Sequence, residues 1–342
     1  MTIFLICSLA IYNFFSYISF WLDNDKIDSI FKVYNFFPFF KAHFADLFAQ
    51  TVFILGVFCS IITLMLGLFA VSALEIETIR GNRFMSYSQA IAFALKRLKQ
   101  IVLAELAIIC FIGFIILLFA LLGLVSRIPY IGEWIYTVLF VLPNFVIAVL
   151  TIFILAVLHV SVILLPSVTA AEQKGEAFQS ILETFSTVIR QPFRWSGYTI
   201  LTTVSAKIAS FVYAYICFRA VEFITWSTAI TGGNDLSNLV KSSLTLLPVR
   251  SDLARETFNI FPGIDFGIQL AGVSKYISHD AVAYLMACML FIIFSSIIGY
   301  FLTTIAVAQT RTYAVIRFLK DSYKIEDENP LHQTLPELTA TE

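Results

Sequence analysis

Three ionisable residues, Glu105, His159 and Lys207, fall inside long apolar stretches of this 342-residue sequence. A charged side chain at the centre of a bilayer costs about 2.5–3.5 kcal/mol even on insertion scales, so such groups must face protein or water. Counted from the inner span ends at about 1.5 Å per residue, the three lie about 8, 12 and 17 Å deep. The stem of Lys207 can then reach toward Glu105, with His159 nearby. Such a cluster either fixes helix packing or carries a proton- or ion-coupled path. Thr199, Thr202, Thr203, Ser205 and Ser210 give the same stretch as Lys207 a hydroxyl-rich surface, which lines a path or hydrogen-bonds neighbouring helices. His279-Asp280 has the residue types of an acid–base pair or a metal site, but two adjacent polar residues at a span boundary are ordinary. No G-x-S-x-G, H-E-x-x-H or Gly-rich phosphate loop is present, and the four histidines are scattered. The five cysteines sit in apolar stretches without a C-x-x-C spacing. No catalytic, cofactor-binding or metal-ligating residue is therefore expected, and no cofactor.

The elements that must position these residues are transmembrane helices. Hydrophobic residues make up 59% of the chain and charged ones 13%, whereas a soluble domain carries about 25% charged residues. A bilayer core about 30 Å thick takes roughly 20 apolar residues as helix, because only a helix or a closed barrel satisfies its own backbone in lipid. The expected spans are Ile3 to Trp21, Leu47 to Leu74, Gln100 to Val125, Trp134 to Leu165, Ser196 to Phe218 and Ala281 to Ala308. The fold class is thus all-α, a polytopic membrane protein of about six spans forming one membrane domain over residues 1–325. Span four is too long for one straight crossing and contains Pro143-Asn144, which predicts strong tilt or a break there. Ile3 to Trp21 lacks the basic n-region and small-residue cleavage site of a signal peptide and reads as a retained anchor.

Orientation follows from basic residues near span ends. Arg80, Arg83, Lys96, Arg97, Lys99, Lys174, Arg190, Arg194, Arg311, Arg317, Lys320 and Lys324 amount to 12 of the 22 basic residues, against nine in the opposite loops. This bias predicts cytoplasmic termini. Trp21, Trp134, Trp195 and Trp226 fall near span ends, as amphipathic rings at headgroup level do.

Between spans, Ser86 to Lys99 and Glu176 to Arg190 each follow a glycine and show apolar residues at helical spacing. Thr312 to Tyr323 is a third segment of this kind, which suggests a weak repeat of hairpin plus amphipathic helix. In the second segment Phe178, Ile181, Leu182 and Phe185 share one face and form a candidate contact surface. On the opposite side, Asp28 to Phe48 reads as an aromatic-rich interfacial helix and 219–280 as a cap. The tail 326–342 is polar, carries Pro330 and Pro336, and is expected to be disordered.

The run LLPSVTAAEQKGEAFQSILETFSTVIRQPFRWSGY, Leu164 to Tyr198, resembles a segment of a family of uncharacterised bacterial multi-pass membrane proteins. The resemblance rests on Pro166, Glu172 with Gly175, Phe178 with Ile181, Phe185-Ser186, and Pro192 with Arg194. The resemblance also takes in the stretch from Val71 through Glu133. It implies the same membrane architecture and brings no activity or site residues with it. Read without the family, Pro192 ends the amphipathic helix and Arg194 anchors the next span, so both join the candidate contact surface.

Net charge is −1 with no block of like charges, which disfavours nucleic acid as a partner and leaves membrane lipid, a protein partner or a second copy. The first expectation is a non-enzymatic subunit or scaffold of a membrane assembly. The alternative is a transporter or channel-like protein using Glu105, His159 and Lys207.

Overall fold

The computed structural model describes residues 1–23, 44–81, 85–125, 128, 132, 134, 137–138, 144–172, 177–232, 239–240, 242–243, 246, 280–322 and 325. The interfacial segment 28–43, the cap residues 247–279, His279 and the tail 326–342 lie outside them. Every regular element among the described residues is helical: α1 (Thr2–Leu22), α2 (Leu47–Ile79), α3 (Tyr87–Val125), α4 (Phe145–Ala171), α5 (Ala177–Arg190), α6 (Pro192–Gly232) and α7 (Asp280–Asp321). In α1, α2, α3, α6 and α7 the described residues form helices long and apolar enough to cross a membrane. These runs are rich in Ile, Val and Phe, mediocre helix formers in water. In lipid the helix is imposed by the need to pair every backbone N–H and C=O within the segment. The chain is an all-α, multi-pass helical membrane protein.

Helix ends follow local chemistry. Asp46 accepts from the N–H of Ala49 at 3.2 Å, and Asp23 accepts from the N–H groups of Ala45 at 3.0 Å and Asp46 at 2.9 Å. Asp46 therefore satisfies a first-turn donor of α2, and Asp23 ties the residues just before that helix to the end of α1. At the other end Gly81 takes φ 86°, a left-handed conformation in which a side chain is strained, and the chain leaves the helix there. Ser86 and Gln89 form a reciprocal capping box, Gln89 Oε1 accepting from Ser86 N–H at 2.9 Å and Ser86 Oγ from Gln89 N–H at 3.3 Å.

Three expected boundaries shift. Ser86 to Lys99 is the first third of a continuous 39-residue α3, because no breaker separates Lys99 from Gln100. Thr312 to Tyr323 likewise continues α7, which runs 42 residues to Asp321. Only the middle amphipathic segment is a helix of its own. Pro192, lacking an N–H, starts a new helix whose Gln191 carbonyl accepts from Trp195 N–H at 2.9 Å. α6 also runs past the expected span end at Phe218 to Gly232. α4 starts at Phe145, directly after Pro143-Asn144, and carries Pro166 within it.

The chain divides into two compact units. Unit 1 comprises Met1–Leu64 with Val204–Thr304, and unit 2 comprises Met65–Thr203 with Ile305–Glu342. Unit 1 is closed by small residues and rings. A Cβ on Gly56 would stand 2.2 Å from Phe15 Cβ, and one on Gly299 would stand 2.5 Å from Thr2 Oγ1, so both glycines are required by close helix approach. Ser8 Oγ donates to Ser60 O at 2.8 Å, Tyr213 OH lies 3.2 Å from Ser296 Oγ, and Tyr12–Phe53, Phe218–Phe294 and Tyr213–Tyr300 are ring pairs. In unit 2, α3, α4 and α5 pack on one another.

Candidate functional site

Unit 2 gathers its charged and hydroxyl side chains around the C-terminal end of α4. The last carbonyls of a helix have no partner within it and carry a partial negative charge. Here two arginines fill that role: Arg97 of α3 donates to Thr169 O at 3.0 Å and to Glu172 O, and Arg80, one residue past α2, donates to Ala171 O at 3.0 Å. Arg80 also pairs with Glu77 at 2.9 Å, while the Arg97 guanidinium lies 4.8 Å from the Phe93 ring, itself stacked on Phe69. Two interhelix fastenings between distant parts of the sequence are thus made by one planar donor group each.

α5 and α7 complete the corner. Lys320 of α7 is almost fully buried and pairs with Glu183 of α5 at 2.5 Å, with Ser186 Oγ at 3.4 Å and Asp321 at 3.2 Å nearby. Ser180 Oγ reaches the buried Glu172 carboxylate at 3.5 Å, and on the outer flank Arg311 pairs with Glu75 at 2.5 Å. Burial pushes the Glu172 carboxyl above the usual carboxylate range; Arg317 and Arg97 pull it down, and Glu183 adds to the push. The Tyr313 ring is fully buried with the Arg317 guanidinium 5.9 Å from its centroid. Among the described residues, Tyr313 OH, Thr169 Oγ1 and Thr187 Oγ1 are buried without a hydrogen-bond partner.

A second polar seam joins α2, α4 and α7. Ser167 Oγ lies 3.0 Å from Thr310 Oγ1 and 3.5 Å from Ser72 Oγ, and all three residues are buried. Next along α7, Gln309 Nε2 donates to Thr199 Oγ1 at 3.2 Å. These are interhelical hydrogen bonds in an apolar setting, each worth about 0.6 kcal/mol and at most about 2.

α5 turns its polar face inward. Ser180, Thr184 and Thr187 are buried, while Phe178, Leu182 and Ile189 are not covered by the rest of the chain. The candidate contact surface therefore divides. Ile181 and Phe185 pack against the internal core that holds Ile112 and Ile154, whereas Phe178 and Leu182 point outward, with exposed Pro192 and Arg194 beyond them. The side chains of Glu105 and His159 lie outside the described residues, so their grouping with Lys207 does too. Lys207 stands on α6 in unit 1, exposed, and Ser210 Oγ donates to its carbonyl at 3.0 Å. Of the hydroxyls on that stretch, Thr199 bonds across helices and Thr202 bonds back to Thr199 O at 3.1 Å.

The sequence reading missed the ionic corner as a site. It used Arg80, Arg97 and Lys320 only as orientation charges, and Glu172 only as part of a motif. A usable signal existed: Glu172 and Glu183 lie in a charged segment with Lys174, Glu176, Arg190 and Arg194, and Glu183 meets Lys320 of α7. Among the described residues, no group of three or more His, Cys, Asp or Glu could hold a metal ion, and all five cysteines are free thiols. The corner thus has the donors and acceptors to fasten five chain segments. Set beside known protein families, curated proteins and solved structures, the chain matches none of them.

Proposed function

We propose that the chain is a non-enzymatic subunit or scaffold of a membrane assembly, seated in the inner membrane of a bacterium with both termini cytoplasmic. The observation that carries this reading is the use of charge in unit 2. The ionic groups at the end of α4 are engaged in fastening α2, α3, α4, α5 and α7 to one another, which suits a rigid platform. The basic-residue bias supports the orientation, and the resemblance to bacterial multi-pass proteins supports the compartment.

A platform needs a face for its partner, and the first turns of α3 offer one. Tyr87, Ile91 and Leu95 lie uncovered at i, i+4 and i+8, N-terminal to the expected span. Leu95→Asp should leave the protein folded in the membrane and remove a partner that co-purifies with the wild type in mild detergent. Retention of every co-purifying protein by that variant, at normal membrane levels, would contradict the reading.

The buried seam of Ser72, Ser167, Thr310, Gln309 and Thr199 favours a second reading, a transporter or channel-like protein in which Glu105, His159 and Lys207 couple an ion or proton to movement. The double variant Glu105→Leu with Lys207→Met separates the two. Recovery of membrane levels and cellular function together supports packing, whereas recovered levels with lost function support transport.

A further inference from the structure

The outward stripe of α5 ends at a pair of arginines, and this combination identifies what covers it. Phe178, Leu182 and Ile189 fall at i, i+4 and i+11, on one side of the helix, and the polar face opposite is already buried against the protein. Arg190 closes α5 and Arg194 stands in the first turn of α6, both exposed, with Phe193 between them 92% exposed. Neither arginine has an ion-pair partner among the described residues, and the sequence from Thr184 to Val221 contains no Asp or Glu. α6 is itself a helix able to cross a membrane and starts at Pro192, so the corner stands where a crossing helix begins, at the depth of headgroup phosphates.

We propose that the α5–α6 corner is a binding site for an anionic phospholipid. Arg190 and Arg194 take the headgroup phosphate in charge-assisted hydrogen bonds, and Phe193 with the outward row of α5 rests on the acyl chains. Two uncompensated positive charges make the site prefer a net-anionic headgroup over a zwitterionic one of the same chain length. The site is independent of what the protein assembles with, because it uses none of the α3 face.

The test uses the full-length protein equilibrated in mixed micelles with equimolar phosphatidylglycerol and phosphatidylcholine, followed by native mass spectrometry of the retained lipids. The wild type should retain phosphatidylglycerol in excess. Arg190→Gln with Arg194→Gln should lower that preference about five-fold per arginine, while Lys96→Gln with Lys99→Gln, an equal loss of exposed charge on α3, should leave it unchanged. Phe193→Glu, which places an anion between the two intact arginines, should abolish it and gives an independent reading if the double variant does not fold. A preference that survives both changes at the corner would overturn the site. So would displacement of the lipid by inorganic phosphate at constant ionic strength, which would mark a soluble-anion site instead.

Discussion

The two units of this chain are held together by different physics. Unit 1 closes through contact: Gly56 lets α2 ride on Phe15 of α1, Gly299 lets α7 meet Thr2, and rings fill what remains. Unit 2 adds charge to its apolar packing, with the Lys320–Glu183 pair and two arginines on the carbonyls that end α4. The lesson concerns failure. A contact-packed helix pair fails when volume is added, whereas a charge-fastened corner fails when one partner is removed and the other stays buried.

That contrast can be broken first in unit 2. Lys320→Met leaves Glu183 without its cation and should destabilise the protein by about 3–5 kcal/mol, read as a loss of thermal stability in detergent. In unit 1, Gly56→Ala adds one methyl where Phe15 Cβ already stands and should cost about 1–3 kcal/mol, with Phe15→Gly, which removes that Cβ, relieving the clash in the same chain. Unit 2 variants that add volume without touching charge should be milder than this, and a reversed order would erase the distinction.

Acidity sharpens the comparison further. The folded pKa of Glu172 is raised by burial, so the folded state binds its proton more tightly than the unfolded chain does. Its contribution is then fully present below the ordinary carboxylate pKa and is lost as pH rises through the raised value. Melting profiles from mildly acidic to neutral pH should show unit 2 losing stability as pH rises. Glu172→Gln should flatten that dependence and be the more stable protein at neutral pH. The smallest effect belongs to Ser8→Ala, which removes the hydroxyl bonded to Ser60 and should cost about 0.6 kcal/mol per bond with no pH dependence.

The helices were legible from the sequence because lipid leaves the backbone few options. The length of α3 was not legible. Hydropathy falls at Lys96, Arg97 and Lys99, so the segment reads as separate from the span, yet Arg97 is held by α4 carbonyls that lie 72 and 75 residues away. No local pattern encodes such a pairing. α5 was found by its periodicity, but periodicity names two faces without saying which one is buried. The polar face of Ser180, Thr184 and Thr187 went inward, where Ser180 meets Glu172 and the neighbouring Glu183 meets Lys320. The capping box of Ser86 and Gln89 is a short-range signal that the sequence does carry.

The central claim is that a buried ion pair fastens α5 to α7, and a double-mutant cycle on Lys320 and Glu183 tests it most directly. Thermal stability in detergent is measured for the wild type, Lys320→Met, Glu183→Leu and the double variant. The account predicts large losses in both single variants and a double variant that regains most of the stability, since an apolar pair can replace a buried ionic one. Single-variant losses that simply add would contradict it, because two residues that never met cannot compensate one another.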